Sequence, residues 1–138
     1  MKIAVDFDGT IVEHKFPAIG KEMLFAFNTL KQLQKQGHEI ILWTYRSGKY
    51  LEEAVEFCRK NGVEFHAVNK SYPEEILDDT ISRKIDADLF IDDRNIGGFP
   101  GWSAIWQMMN PHLSENGTDH LGKSIKKEGS LIKKLFGK

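Results

Sequence analysis

The chain has one cysteine, Cys58, in 138 residues, which excludes an internal disulfide. Its five histidines show no H-E-x-x-H or comparable spacing, so there is no zinc signature either. A surplus of charge is also missing. With 19 Lys and Arg against 20 Asp and Glu, the formal net charge of -1 gives the whole chain no attraction to nucleic acid or to an anionic membrane. No apolar run approaches the roughly 20 residues of a spanning helix. The chain opens on a strand-like run without a charged n-region, apolar h-region or cleavage site, and the expectation is a cytoplasmic protein.

The hydrophobic content of 41% is enough, at this length, for one packed domain and no second full one. Ile3-Ala-Val5 is a short apolar run without alternation, as in a strand buried on both faces of a parallel sheet. It ends in Asp6-Phe-Asp-Gly-Thr10. Two acids at the carboxyl end of such a strand are costly unless a cation or hydrogen bonds compensate them, and ligands bind at that end of an open α/β sheet. Glu39 to Trp43 is a second strand, ending in Thr44-Tyr-Arg46. Phe65 to Val68 is a third, and Leu89 to Asp92 a fourth, followed by Asp93 and Arg94.

Between these runs Met23, Leu24, Phe27, Leu30 and Leu33 recur at helical spacing, with Gly37 as a C-terminal cap. A second helix covers about 50–60, where Cys58 shares the apolar face with Leu51, Ala54 and Val55 and reads as core. Trp102 to Met109 has helix-compatible apolar content. The alternation predicts an α/β, Rossmann-like three-layer sandwich, a parallel sheet with helices on both faces. Only a short flap, about 12–20, follows the first motif. We place the domain over 1–110, and a basic C-terminal extension, docked element or flexible tail, over 111–138. From Leu121 onward Lys123, Lys126, Lys127, Lys133, Lys134 and Lys138 face only Glu128. Asn116-Gly-Thr118 fits a glycosylation acceptor pattern and, without a secretion signal, carries no meaning.

Four pieces in order, Asp6-Phe-Asp-Gly-Thr10, Thr44 after an apolar strand, Lys84, and Asp92-Asp93, resemble the motifs of the haloacid dehalogenase-like superfamily of phosphohydrolases over about 1–98. The resemblance implies a capless member hydrolysing a phosphomonoester through an aspartyl-phosphate. Asp6 is then the nucleophile and Asp8 the general acid and base. Gly9, Thr10 and Thr44 meet the substrate's phosphate, and Lys84 supplies positive charge to the nucleophile and the transferred group. Arg46 is a further candidate for the substrate phosphate. An ordinary Asp, with a pKa near 3.9, is protonated about once in a thousand at neutral pH, so Asp8 needs an environment that favours its proton.

Four acids facing an anionic substrate require a cation, and the hard oxygen set suits Mg2+. By the family pattern it is held by Asp6, the Asp8 backbone carbonyl and Asp92. Asp93 acts through water or holds Lys84. The implied substrate is a small phosphorylated metabolite such as a sugar phosphate or nucleotide. An open, capless site also fits a homo-oligomer whose second subunit completes the pocket. His14 and Lys15 read as exposed flap residues, Arg94 as structural, and Asp78-Asp79 as a solvated loop. Two other classes remain open. One is a receiver-like phosphoacceptor domain, disfavoured because its acceptor lies on a middle strand. The other is a catalytically idle binding module, disfavoured because no motif residue is missing.

Overall fold

The computed structural model of the chain describes residues 1–113. The chain divides into two compact units, Met1–Phe99 and Pro100–Lys138. The division falls in the Gly97-Gly98, Pro100-Gly101 turn region. Among its described residues the second unit holds the helix α3 (Trp102–Met109), with Trp102, Ile105 and Trp106 buried. The basic stretch from Leu121 and the Asn116 acceptor pattern lie outside the described residues. No helix among the described residues is long and apolar enough to cross a membrane.

The first unit is built on β1 (Lys2–Val5), α1 (Ala26–Lys35), β2 (Glu39–Leu42), α2 (Gly48–Lys60), β3 (Ala67–Val68) and β4 (Leu89–Ile91). The strands form one parallel sheet in the order β3-β2-β1-β4, with Val5 opposite both Leu42 and Ile91. This is an α/β, Rossmann-like arrangement. The chain steps from β1 to β2 to β3 in one direction, and right-handed crossovers then put α1 and α2 on one face. Phe27 of α1 and Phe7 both pack on Phe57 of α2, with ring centroids 5.8 and 6.3 Å apart. The return from β3 to β4 passes over the opposite face, where Ile85 and Ala87 pack on Ala4, Ile41 and Ala67. Within this unit that face is covered by an irregular segment and not by a helix.

The sequence pattern placed Met23 and Leu24 in the first helix, but α1 starts later. Phe25 takes a left-handed backbone, φ 67°, and the Glu22 carboxylate accepts the Phe27 N–H at 3.1 Å, capping the helix there. β3 is likewise shorter than expected, since only Ala67 and Val68 pair with β2. Cys58 is fully buried, and burial pushes its thiol up to about 12, consistent with a core residue and unlike a nucleophile.

No large cap interrupts the sheet among the described residues. Between β1 and α1 the chain makes a short strap in which the Glu13 N–H donates to the Lys21 carbonyl at 2.8 Å and Val12 bridges Glu22. Gly20 lets the two arms approach, because a Cβ there would overlap the Glu13 carbonyl.

Candidate active site

Because β1 and β4 are neighbours while the connections from β1 and into β4 run over opposite faces, their carboxyl ends form the crevice where open α/β sheets bind ligands. Asp6 follows β1 directly and Asp92 follows β4. The Asp6 N–H donates to the Ile91 carbonyl at 3.0 Å, which brings the two loops together. Carboxylate oxygens of Asp6, Asp92 and Asp93 lie within 4.8 Å of one another. Burial raises the Asp6 carboxyl to about 8, helped by a hydrogen bond with Asp93 and by the charges of Asp92 and Asp93, and opposed by the Phe7 amide. Three hard oxygen donors that disfavour one another's charge suit a small divalent cation, which would remove the repulsion.

This makes a stability prediction. Asp6 has a folded-state pKa above its unfolded value, so the folded chain holds a proton that the unfolded chain has released between about pH 4 and 8. The group's contribution to stability is therefore most favourable below that window and declines as pH rises through it. The slope is at most about 1.4 kcal/mol per pH unit, less for screening at a half-buried group. Denaturant unfolding in chelator should show stability falling from pH 5 to 8, and a millimolar divalent cation should restore it at pH 8. Stability that rises with pH in chelator and ignores the cation would contradict the site.

Gly9 and Thr10 close the loop behind these acids. Gly9 has φ 85°, and a Cβ there would overlap the Asp93 carboxylate, so this position needs glycine twice over. The buried Thr10 hydroxyl lies 3.4 Å from both an Asp6 and an Asp93 oxygen. Gly9→Ala should cost about 2–4 kcal/mol through the left-handed backbone and the displaced carboxylate, measured by chemical unfolding. It should also weaken divalent-cation binding in calorimetry.

Beyond β2 the Thr44 N–H donates to Asn69 Oδ1 at 2.8 Å, and the Thr44 hydroxyl oxygen accepts the Arg46 N–H at 3.2 Å. Those two bonds fix Thr44 and leave its own O–H free to be donated into the cleft. Asn69 holds this position from a left-handed backbone, φ 53°, which Asn tolerates. It was not recognised as a site residue in the sequence. The available signal was its place just past β3, the polar strand end matching those after β1, β2 and β4.

Arg46 is 2% exposed and forks onto Asp8, with Nε and Nη2 each 2.8 Å from a carboxylate oxygen. Asp8 therefore faces the cleft paired with Arg46, and its side chain is outside the acid trio. The cleft has a volume of about 570 Å³ and is lined by Asp6, Asp8, His14, Phe16, Trp43, Thr44, Tyr45, Arg46, Asp92 and Arg94. Lys84 is not among them. Its ammonium lies 5.7 Å from the Phe90 ring centroid, and among the described residues it makes no ion pair with the acids. The segment before β4 is an exposed bend at Lys84, after which Ile85 and Ala87 turn inward. Arg94, expected to be structural, lines the cleft with His14. Lys15 is exposed, and Asp78 accepts from Thr80 in an exposed loop, as expected. The aromatic side of the cleft, Phe16, Trp43 and Tyr45, was not foreseen, since these residues read as core or loop.

A scan against models of known families finds no match, and a search of curated proteins finds none either. Among solved structures, a conserved protein coded by a locus of Bacteroides thetaiotaomicron matches at 57% identity, with a TM-score of 0.77, over 81% of this chain and 91% of that one. The chain belongs to the family of that conserved protein. Membership carries the α/β fold just described to a solved member of the family. It brings no activity with it, so the chemistry of the cleft has to be argued from the residues.

Proposed function

We propose that the chain is a haloacid dehalogenase-like, magnesium-dependent phosphatase acting on a small phosphomonoester. The observation that carries this reading is the convergence of Asp6, Asp92 and Asp93 at the crevice between β1 and β4, with Asp8 and Thr44 lining the same cleft. Asp6 is the nucleophile: in its ionised form one oxygen attacks phosphorus and the ester oxygen departs. Asp8, once protonated against the pull of the Arg46 fork, gives that oxygen its proton, then takes a proton from the water that attacks the aspartyl-phosphate, which restores both groups. The Thr44 hydroxyl donates to a phosphoryl oxygen and orients it.

Asp6, Asp92 and Asp93 would hold Mg2+, which supplies charge neutralisation for the acids and the phosphoryl group. The remaining cleft, bounded by a short strap and no cap, suits a small phosphorylated metabolite in a cytoplasmic setting. A second subunit over the open side is compatible with it.

Acid quenching during turnover of an aryl phosphate, followed by peptide mass analysis, should find a phosphoryl group on the peptide containing Asp6. A stable, stoichiometric phosphoenzyme without turnover would instead favour the receiver-like reading. No phosphoenzyme and no turnover would favour a binding module.

A further inference from the structure

Arg46 lines the cleft, and an arginine beside the proposed phosphate site invites the reading that it binds the phosphate. Its hydrogen bonds argue otherwise. A guanidinium has five N–H donors. Nε donates to Asp8 Oδ2 at 2.8 Å. Nη2 donates to Asp8 Oδ1 and to the Ala18 carbonyl, both at 2.8 Å. Nη1 donates to the carbonyls of Pro17 at 3.2 Å and Tyr50 at 3.4 Å. All five are committed to the protein. The faces of the group are covered as well, with Phe7 and Phe16 ring centroids 4.9 and 5.1 Å away.

We infer that Arg46 is a positioning residue, which orients the Asp8 carboxylate and ties it to the Pro17–Ala18 strap and to α2, and that it does not bind substrate phosphate. The inference rests on the reading of Asp8 as acid and base. A carboxylate offers about four lone-pair sites, and the fork of Arg46 takes one on each oxygen. Asp8 therefore keeps a site on each oxygen for exchanging a proton with the leaving oxygen or with water. It also loses the rotation that would turn those sites away from the cleft. A base held in place by a third group is the general arrangement of activated side chains, and a planar fork does this where an ammonium cannot. Because the same guanidinium grips two strap carbonyls, the orientation of Asp8 and the closure of the strap are one mechanical unit.

Arg46→Lys in the full chain with Mg2+ separates the possible roles. Inhibition by inorganic phosphate should stay within about twofold of native, because no N–H of Arg46 is available to that anion. Single-turnover phosphorylation of Asp6 by an alkyl phosphate, the step in which the leaving oxygen needs a proton, should slow about 100-fold, and that by p-nitrophenyl phosphate less than about tenfold, since nitrophenolate leaves with little need of a proton. Phosphate inhibition weakened tenfold or more would make Arg46 a phosphate ligand and overturn the inference. Equal losses on both substrates would reduce it to a purely structural residue, and would overturn the inference too.

A second arm does not depend on turnover. Amide hydrogen exchange across residues 13–21 should quicken in Arg46→Lys and also in Asp8→Asn, because Asp8 reaches the strap through Arg46. Exchange unchanged in Asp8→Asn would show the two uncoupled and overturn the inference. Should the native chain hydrolyse no phosphate ester, the phosphatase reading is what fails, and the exchange comparison still decides whether Arg46 couples Asp8 to the strap.

Discussion

Asp6→Asn is expected to lower turnover by about 10⁴-fold or more, because an amide oxygen cannot replace a carboxylate as nucleophile. The same change should make the metal-free chain more stable at pH 8. Asp6 is pushed up to about 8 by burial and by Asp92 and Asp93, so as pH reaches about 8 and above its carboxylate holds charge that its surroundings oppose. An amide of nearly the same shape removes the opposed charge and keeps the hydrogen-bonding geometry. Thermal unfolding in chelator at pH 8 should therefore give a higher Tm for the variant, and the excess should vanish near pH 5 or when Mg2+ is added to the native chain. A variant that is inactive and also less stable at pH 8 would mean that Asp6 is a structural acid. Opposite signs for activity and stability are the signature of a site assembled for a cation and a reaction.

Arg46→Met is expected to cost about 3–5 kcal/mol of folding free energy, the range for removing one partner of a buried ion pair. The Asp8 carboxylate, its side chain 12% exposed, would lose both of its charged hydrogen bonds, and the carbonyls of Pro17, Ala18 and Tyr50 would lose their donor. Chemical unfolding measures the loss directly. The Asp8→Leu and Arg46→Met double variant should recover a large part of it, since replacing both members removes the unpaired charge. A loss of under about 1 kcal/mol in the single variant would place the pair among weakly contributing surface bridges and would undercut the role assigned to Arg46.

The parts of this site that depend on order along the chain were legible in the sequence. Ile3-Ala-Val5 and Ile40-Ile-Leu42 are strands because short β-branched runs without alternation suit a sheet buried on both faces; Asp6 follows the first directly and Thr44 follows the second after Trp43. Asp92 and Asp93 follow β4 in the same way, and the parallel register does the rest, setting Val5 beside Ile91. What was not legible depends on which side chain reaches which across long separations in sequence. The fork between Asp8 and Arg46 spans 38 positions, and nothing local distinguishes an arginine bound for a carboxylate from one bound for a phosphate. Asn69 serves Thr44 across 25 positions in the same way. Phe16, Trp43 and Tyr45 read as loop or core because an aromatic lining a cleft has the same sequence signature as one filling a core.

In the proposed function, three carboxylates gathered between β1 and β4 hold a divalent cation so that Asp6 can attack a phosphoryl group. The most direct measurement is steady-state hydrolysis of an aryl phosphate by the native chain and by Asp6→Asn, in chelator and across a titration of Mg2+. The account predicts turnover by the native chain that is absent in chelator, rises to saturation with Mg2+, and is lost at every Mg2+ concentration in Asp6→Asn. Hydrolysis that persists in chelator or survives Asp6→Asn would contradict it, and so would a native chain that binds Mg2+ yet turns over neither aryl nor alkyl phosphates.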